Sequence, residues 1–193
     1  MKSAEALVLS VQREQQSHDL LAHRDILNLD TQMRLKHMTL HFLKYAGKLA
    51  IARQKKDAKL LHHTLVDTFI ICLATANALN VSLANSWSVQ AEDIDQVAKE
   101  IAKEFGLYEE DVIFDEALFK LAVIAGKMAK SIESTDHLER GNPRAELEDY
   151  VVELSKEMLA MIGALKLPIL TLIRQRWAAV EAKSIFSQQL VVV

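Results

Sequence analysis

Only seven of the 193 residues are Gly or Pro, about 4% where an average protein carries roughly 12%. Sandwiches and barrels join many short strands through turns built from such residues. A chain this poor in them can make few turns, so each of its elements must be long. Collagen-like and Pro-rich disordered compositions are excluded on the same ground. Hydrophobic residues make up 50% and charged residues 25%, and a chain of this length can bury a substantial core. The expectation is a single all-α domain over 1–193, a bundle of about six to seven helices.

Periodicity and caps place those helices. The first is expected over 3–23, followed by a connection over 24–30. Asp30 or Thr31 caps a second over 31–54. Its apolar residues Leu35, Met38, Phe42, Tyr45, Leu49 and Ala52 recur at three- and four-residue steps and share one face. A third covers 57–80 and is apolar over most of its surface after Asp67, as the central helix of a bundle is. A polar connection over 82–91 leads to a fourth helix over 92–105, ended by Gly106. A fifth is expected over 109–133. Asn142-Pro143 pairs a capping side chain with Pro at the first helical position and starts a sixth, running to 165. Pro168 opens a seventh, expected to end near Leu190. Short connections make consecutive helices antiparallel neighbours.

A net charge of −3 offers no electrostatic attraction to nucleic acid or to an anionic membrane. The single cysteine, Cys72, excludes an intramolecular disulfide. Within the apolar run Phe69–Leu73 it reads as a buried, inert thiol. The apolar stretch near the N-terminus, about six residues, is too short for a signal peptide, and the expected location is cytoplasmic. Residues 68–91 carry no charge, yet Asn77, Asn80, Ser82, Asn85 and Ser86 interrupt them. This stretch reads as a buried helix and a polar connection rather than a membrane span. The apolar tail Leu190–Val193 is suited to packing on a second chain, and a homodimer is expected.

The chain also repeats itself. Leu40–Ala50 resembles Phe119–Ala129, with Ala-Gly-Lys, an apolar residue and Ala kept in both. Ala76–Val81 resembles Ile162–Leu167. Helices two and three therefore read as duplicated in helices five and six, giving a pseudo-symmetric four-helix core. Gly47 and Gly126 sit inside helices at matching places of the repeat, where Gly costs about 1 kcal/mol against Ala. A close helix crossing at each is the expected reason.

This pattern resembles the all-α nucleoside triphosphate pyrophosphohydrolases, MazG and its relatives. That family pairs a helix carrying Glu-Glu-x-x-Glu with a following helix carrying Glu-x-x-Asp. Lys44-Tyr45-Ala46-Gly47-Lys48 falls on the first motif and Thr64-Leu65-Val66-Asp67 on the second. The resemblance makes 31–83 a first MazG-like helix pair and 109–167 a second, more divergent one. It implies Mg²⁺ held by carboxylates against a triphosphate. In this chain Lys44, Tyr45, Lys48 and Thr64 stand where the family has its four Glu, and only Asp67 remains. The second copy has Val123, Ile124, Lys127, Tyr150 and Glu153. Mg²⁺ takes oxygen ligands, and ammonium groups repel it. The resemblance thus implies a degenerate member that has lost the metal-dependent reaction and serves as a nucleotide- or anion-binding or interaction protein. Retained Mg²⁺-dependent hydrolysis would need a shifted carboxylate set, Asp67 with Glu146, Asp149 and Glu153. A third reading is a structural scaffold acting through dimerisation.

On the second helix, His37, His41, Lys44 and Lys48 follow steps of four, three and four and form one stripe. On the third, His63 and Asp67 are four apart, with His62 beside them. If the two stripes face each other, three outcomes are open. Lys44 or Lys48 pairs with Asp67. The six residues His37, His41, Lys44, Lys48, His63 and Asp67 form a groove for a nucleotide phosphate. Or His37, His41, His63 and Asp67 hold a transition-metal ion. There is no Gly-rich phosphate loop and no hydrolase nucleophile motif. Trp87 and Trp177 read as core or interface anchors.

Overall fold

Most of the long helices begin where the sequence supplies an oxygen for the first free N–H groups. Ser3, Asp30, Asp57, Asp93 and Asn142 accept from the backbone N–H of Ala6, Met33, Leu60, Gln96 and Ala145. The computed structural model describes residues 1–106 and 109–188. The apolar tail 190–193 lies outside the described residues. The elements are β1 (Lys2–Ser3), α1 (Ala4–Ala22), α2 (Arg24–Leu27), α3 (Thr31–Lys55), α4 (Ala58–Leu79), β2 (Gln90–Ala91), α5 (Ile94–Phe105), α6 (Glu110–Asp136), α7 (Pro143–Ala164), α8 (Ile169–Glu181) and α9 (Ile185–Gln188). The protein is an all-α helical bundle. Among the described residues it has seven helices of twelve residues or more, and α2 and α9 are single turns. Lys56, Asn80 and Gly106 end α3, α4 and α5 in the left-handed conformation.

Three local features depart from the sequence expectation. The connection after α1 contains the turn α2. β1 and β2 pair antiparallel, Lys2 opposite Ala91, and so fasten the start of the chain to the segment before α5. The last helix breaks at Glu181 instead of running to Leu190, because the Ser184 hydroxyl donates to the Ala22 carbonyl and accepts the Phe186 N–H.

Helices α3, α4, α6 and α7 close a ring, α3 lying on α4 and α6, and α7 on the same two. Helix α4 also carries α1 and α8 on its remaining sides. By length and composition it could cross a membrane, and 67% of its apolar window is buried inside the bundle. Cys72 lies here, fully buried, and burial pushes its thiol pKa up. Helix α5 packs chiefly on α7, not on its neighbours in sequence. Its buried stripe of Ile94, Val97, Ala98, Ile101 and Ala102 supplies that contact.

The glycines behave differently from expectation. A Cβ at Gly47 or Gly126 would meet nothing within 4 Å, so neither marks a close crossing. The crossing is at Gly163, where a Cβ would overlap the Ala98 carbonyl and lie 2.9 Å from the Lys99 nitrogen. Gly47→Ala and Gly126→Ala are therefore expected to stabilise the protein by about 0.5–1 kcal/mol each. A thermal melt with unchanged or lowered midpoint in both variants would contradict this.

The segment between α4 and α5 is held by one buried side chain. Gln12 donates from Nε2 to the Val81 carbonyl (2.9 Å) and to Asn77 Oδ1 (3.3 Å), and its Oε1 accepts the Leu83 N–H (3.1 Å). Asn77 returns a bond to the Gln12 carbonyl at 2.8 Å.

Candidate functional site

Helices α1, α3, α4 and α8 do not meet fully. Between them lies a cavity of about 310 Å³ whose polar wall includes His18, Asp19, His23, Arg34, His37, His41, Lys44, Asp67 and Arg176. Trp177, Ile70, Ile71 and Ala74 supply apolar surface. A pocket with an apolar body and a few convergent polar groups is the usual form of a small-molecule site.

At one end stands Asp67, buried in the middle of α4. Arg176 of α8 binds it with both arms, Nε to Oδ1 at 2.6 Å and Nη2 to Oδ2 at 3.1 Å. This planar two-bond pairing is the strong form of an ion pair, and it raises the Arg176 pKa. Lys48 adds a longer contact, Nζ to Oδ2 at 3.9 Å. The ion pair expected for Lys44 or Lys48 thus falls to Lys48, with Arg176 as the closer partner. Tyr45 is buried beside them. Its hydroxyl pKa is pushed up by burial and by the Asp67 charge, and the Lys44 and Lys48 ammonium groups lie 4.7 and 5.1 Å from its ring centre.

The α3 stripe continues from there. Lys44 Nζ lies 2.9 Å from His41 Nδ1, and His41 Nε2 lies 3.1 Å from His37 Nε2. An ammonium only donates, so His41 accepts at Nδ1 and carries its proton on Nε2. That proton goes to His37 Nε2, which leaves the His37 proton on Nδ1. Burial, then the charge of Lys44 and the neighbouring His37, lower the His41 pKa to about 4, so its ring is neutral at pH 7. The Lys44 pKa is also lowered, by burial and by Lys48. The unrelieved positive charge at this end suits an anion.

At the other end, α1 stops and the chain turns into α2. His18 and Asp19 are buried and His23 half-buried. His18 Nδ1 lies 2.7 Å from Glu181 Oε1, and its ring stacks on Trp177 with centres 5.7 Å apart. Gln15 bridges the next pair, donating to Asp19 Oδ1 at 2.8 Å and accepting from Trp177 Nε1 at 2.7 Å. Burial raises the Asp19 pKa to about 7 and lowers that of His23. Arg34 gives Nη2 to the carbonyls of Leu27 and Leu29, while its buried Nε has no hydrogen-bond partner among the described residues.

Of the six groove residues, His37, His41, Lys44 and Asp67 line this cavity, with Lys48 against Asp67. His63 does not. It lines a neighbouring groove between α4 and α8, with His62, Lys59 and Leu172. The expected metal set of His37, His41, His63 and Asp67 is therefore not assembled. The carboxylate set is divided as well. Glu146 accepts from the Ser131 hydroxyl at 2.6 Å. Asp149 and Glu153 line a shallow depression with Ser82, Asn85 and Ser86. Asp67 is in the cavity. Sequence reasoning missed His18, Asp19, His23, Arg34 and Arg176. A His-Asp doublet with a third His five residues after the first, at a helix end, was the available signal. The chain matches no family model, no curated protein and no solved structure.

Proposed function

We propose that the protein binds a small anionic molecule of nucleotide type in the cavity between α1, α3, α4 and α8, and does not hydrolyse it through Mg²⁺. The observation that carries this reading is the bidentate pairing of Asp67 with Arg176 beside Lys44 and Lys48. A carboxylate already held by two cationic side chains is a poor ligand for Mg²⁺, whereas Lys44 has no carboxylate of its own and meets the cavity. A phosphate at this point exchanges the Lys44–His41 contact for a charge-assisted bond. Trp177 and the apolar α4 residues then face the rest of the ligand. In this reading the chain is a degenerate MazG-like protein, and the closed ring of α3, α4, α6 and α7 is what two tandem helix pairs would build.

Thermal melting tests it in EDTA with a panel of nucleoside triphosphates and with inorganic triphosphate. At about 100 times the dissociation constant the gain is about 2.7 kcal/mol, or a rise of roughly 5–10 °C for a chain of this size. The shift should shrink in Lys44→Ala and in Lys44→Ala/Lys48→Ala. No shift with any of these anions, or a shift unchanged in the double variant, refutes the anion site. Release of pyrophosphate that requires Mg²⁺ refutes the absence of catalysis.

A further inference from the structure

The end of the cavity away from Asp67 carries a group of donors that anion binding does not use. His18, Asp19 and His23 each offer one ligand atom, and the three atoms lie within 4.8 Å of one another. Among the described residues they are the one His, Cys, Asp or Glu group of three or more that comes this close. The backbone brings them together. His18 and Asp19 lie in the last turns of α1, and the His23 N–H bonds the Asp19 carbonyl at 2.9 Å as the helix ends, which lays His23 over Asp19.

We infer that His18, Asp19 and His23 form a binding site for a divalent transition-metal ion of the zinc class, with a coordination position open to the cavity. The arrangement around each donor supports this over a plain hydrogen-bonded cluster. No side-chain hydrogen bond joins any two of the three, although all are polar and close. Bonds of about 2.0–2.2 Å to one ion place its donor atoms roughly 3–3.5 Å apart, a distance that small side-chain rotations reach from here.

The outer contacts are those that orient metal ligands. A ligating histidine ordinarily gives its other ring N–H to a carboxylate or carbonyl, which fixes the tautomer. The Glu181 carboxylate only accepts, so His18 carries a proton on Nδ1, and Nε2 is the ring atom left for a metal. Gln15 holds Asp19 through Oδ1 and is itself held by Trp177, which leaves Oδ2 for an ion. Stacking on Trp177 fixes the plane of the His18 ring. Three residues on α1 and α8, Gln15, Trp177 and Glu181, thus position two ligands.

The donor set selects the ion. Two imidazoles and one carboxylate suit Zn²⁺, Fe²⁺, Ni²⁺ or Mn²⁺ better than Mg²⁺ or Ca²⁺, which take mainly oxygen. Three protein ligands leave a fourth position for water or a ligand atom, as sites that bind or transform a ligand do. All three residues line the cavity wall together with Arg34 and His37, so an anion bound in the cavity can reach the ion. The metal site does not depend on the anion site, and either can fail alone.

The test uses the full chain stripped with EDTA, then dialysed against ZnCl₂ or CoCl₂ alone. Elemental analysis should find one Zn²⁺ per chain, and Co²⁺ should give a visible absorption band from a site containing imidazole nitrogen. His23→Ala, at a half-buried position, and His18→Ala should each weaken binding at least tenfold. His62→Ala/His63→Ala, in the neighbouring groove, should bind as the parent does. Circular dichroism checks the fold of each variant, and His23→Gln replaces any that does not fold. Absence of stoichiometric metal overturns the inference. So does binding that survives both substitutions in α1 and its C-cap, or that is lost with His62 and His63.

Discussion

Gly163→Ala is expected to destabilise the protein by about 3–5 kcal/mol, at the upper end of what overpacking costs, and to lower the melting midpoint by roughly 10 °C or more. The added methyl group runs into the Ala98 carbonyl and the Lys99 nitrogen. These are backbone atoms inside α5, so no rotamer change relieves the overlap. Either α5 moves off α7, which uncovers Val97, Ala98 and Ile101, or α7 bends near its end. Ala98→Gly should not rescue the variant, because the carbonyl rather than the Ala98 side chain is struck. Differential scanning calorimetry of Gly163→Ala against Gly47→Ala gives opposite signs from the same chemical change. A Gly163→Ala midpoint within a degree or two of the parent would show that α5 is not seated as described.

Gln12→Leu is the second large effect, with an expected loss of about 3–5 kcal/mol. The volumes are similar, so the cost is polar. The substitution removes two bonds from Nε2 and one to Oε1, each worth about 1 kcal/mol net, and strands partners whose desolvation costs about 1–3 kcal/mol apiece. The Leu83 N–H is one, and Leu83 is fully buried. Amide exchange around Leu83 should accelerate more than exchange in the middle of α4. Gln12→Glu retains an acceptor for Leu83 but sets a second oxygen against the Val81 carbonyl and Asn77 Oδ1, so it too should fall below the parent. Urea unfolding of all three proteins orders them. Equal midpoints for Gln12→Leu and the parent would remove this network from the stability of the protein.

What was legible in the sequence follows from the range of the forces involved. Asp30, Asp57, Asp93 and Asn142 cap helices through bonds that span three residues, so the boundaries could be read along the chain. The stripe of His37, His41 and Lys44 was legible for the same reason, since helical spacing alone puts them in a row. The partner of Asp67 was not. Arg176 is 109 residues away, and nothing near Arg176 in sequence marks it as facing an acid. Lys48, closer in the chain and on the adjoining helix, was the visible candidate and makes the weaker contact. The role of Gly163 was not legible for a related cause. A glycine near a helix end looks like a terminator, and only the arrival of α5 shows that it admits another backbone. Gly47 and Gly126 look alike in the repeat, yet their surroundings are open, so neither position requires a glycine for packing.

The cavity is walled by the two ends of the described chain. Gln15 meets Trp177 across 162 positions and His18 meets Glu181 across 163, whereas α3 adjoins α4 directly. During synthesis, α1 to α7 leave the ribosome before α8 exists, and contacts of such separation close late. The four-helix ring can therefore assemble before α8 docks, although α8 then covers part of α4 and supplies the Arg176 partner of Asp67; the cavity is complete only after that. Helical content and binding competence should be acquired as two events, and a shortened chain lacking α8 would look folded by circular dichroism while holding no ligand. The binding site then forms only when α8 docks on α1 and α4, so occupancy by a ligand reports that these helices have closed on one another.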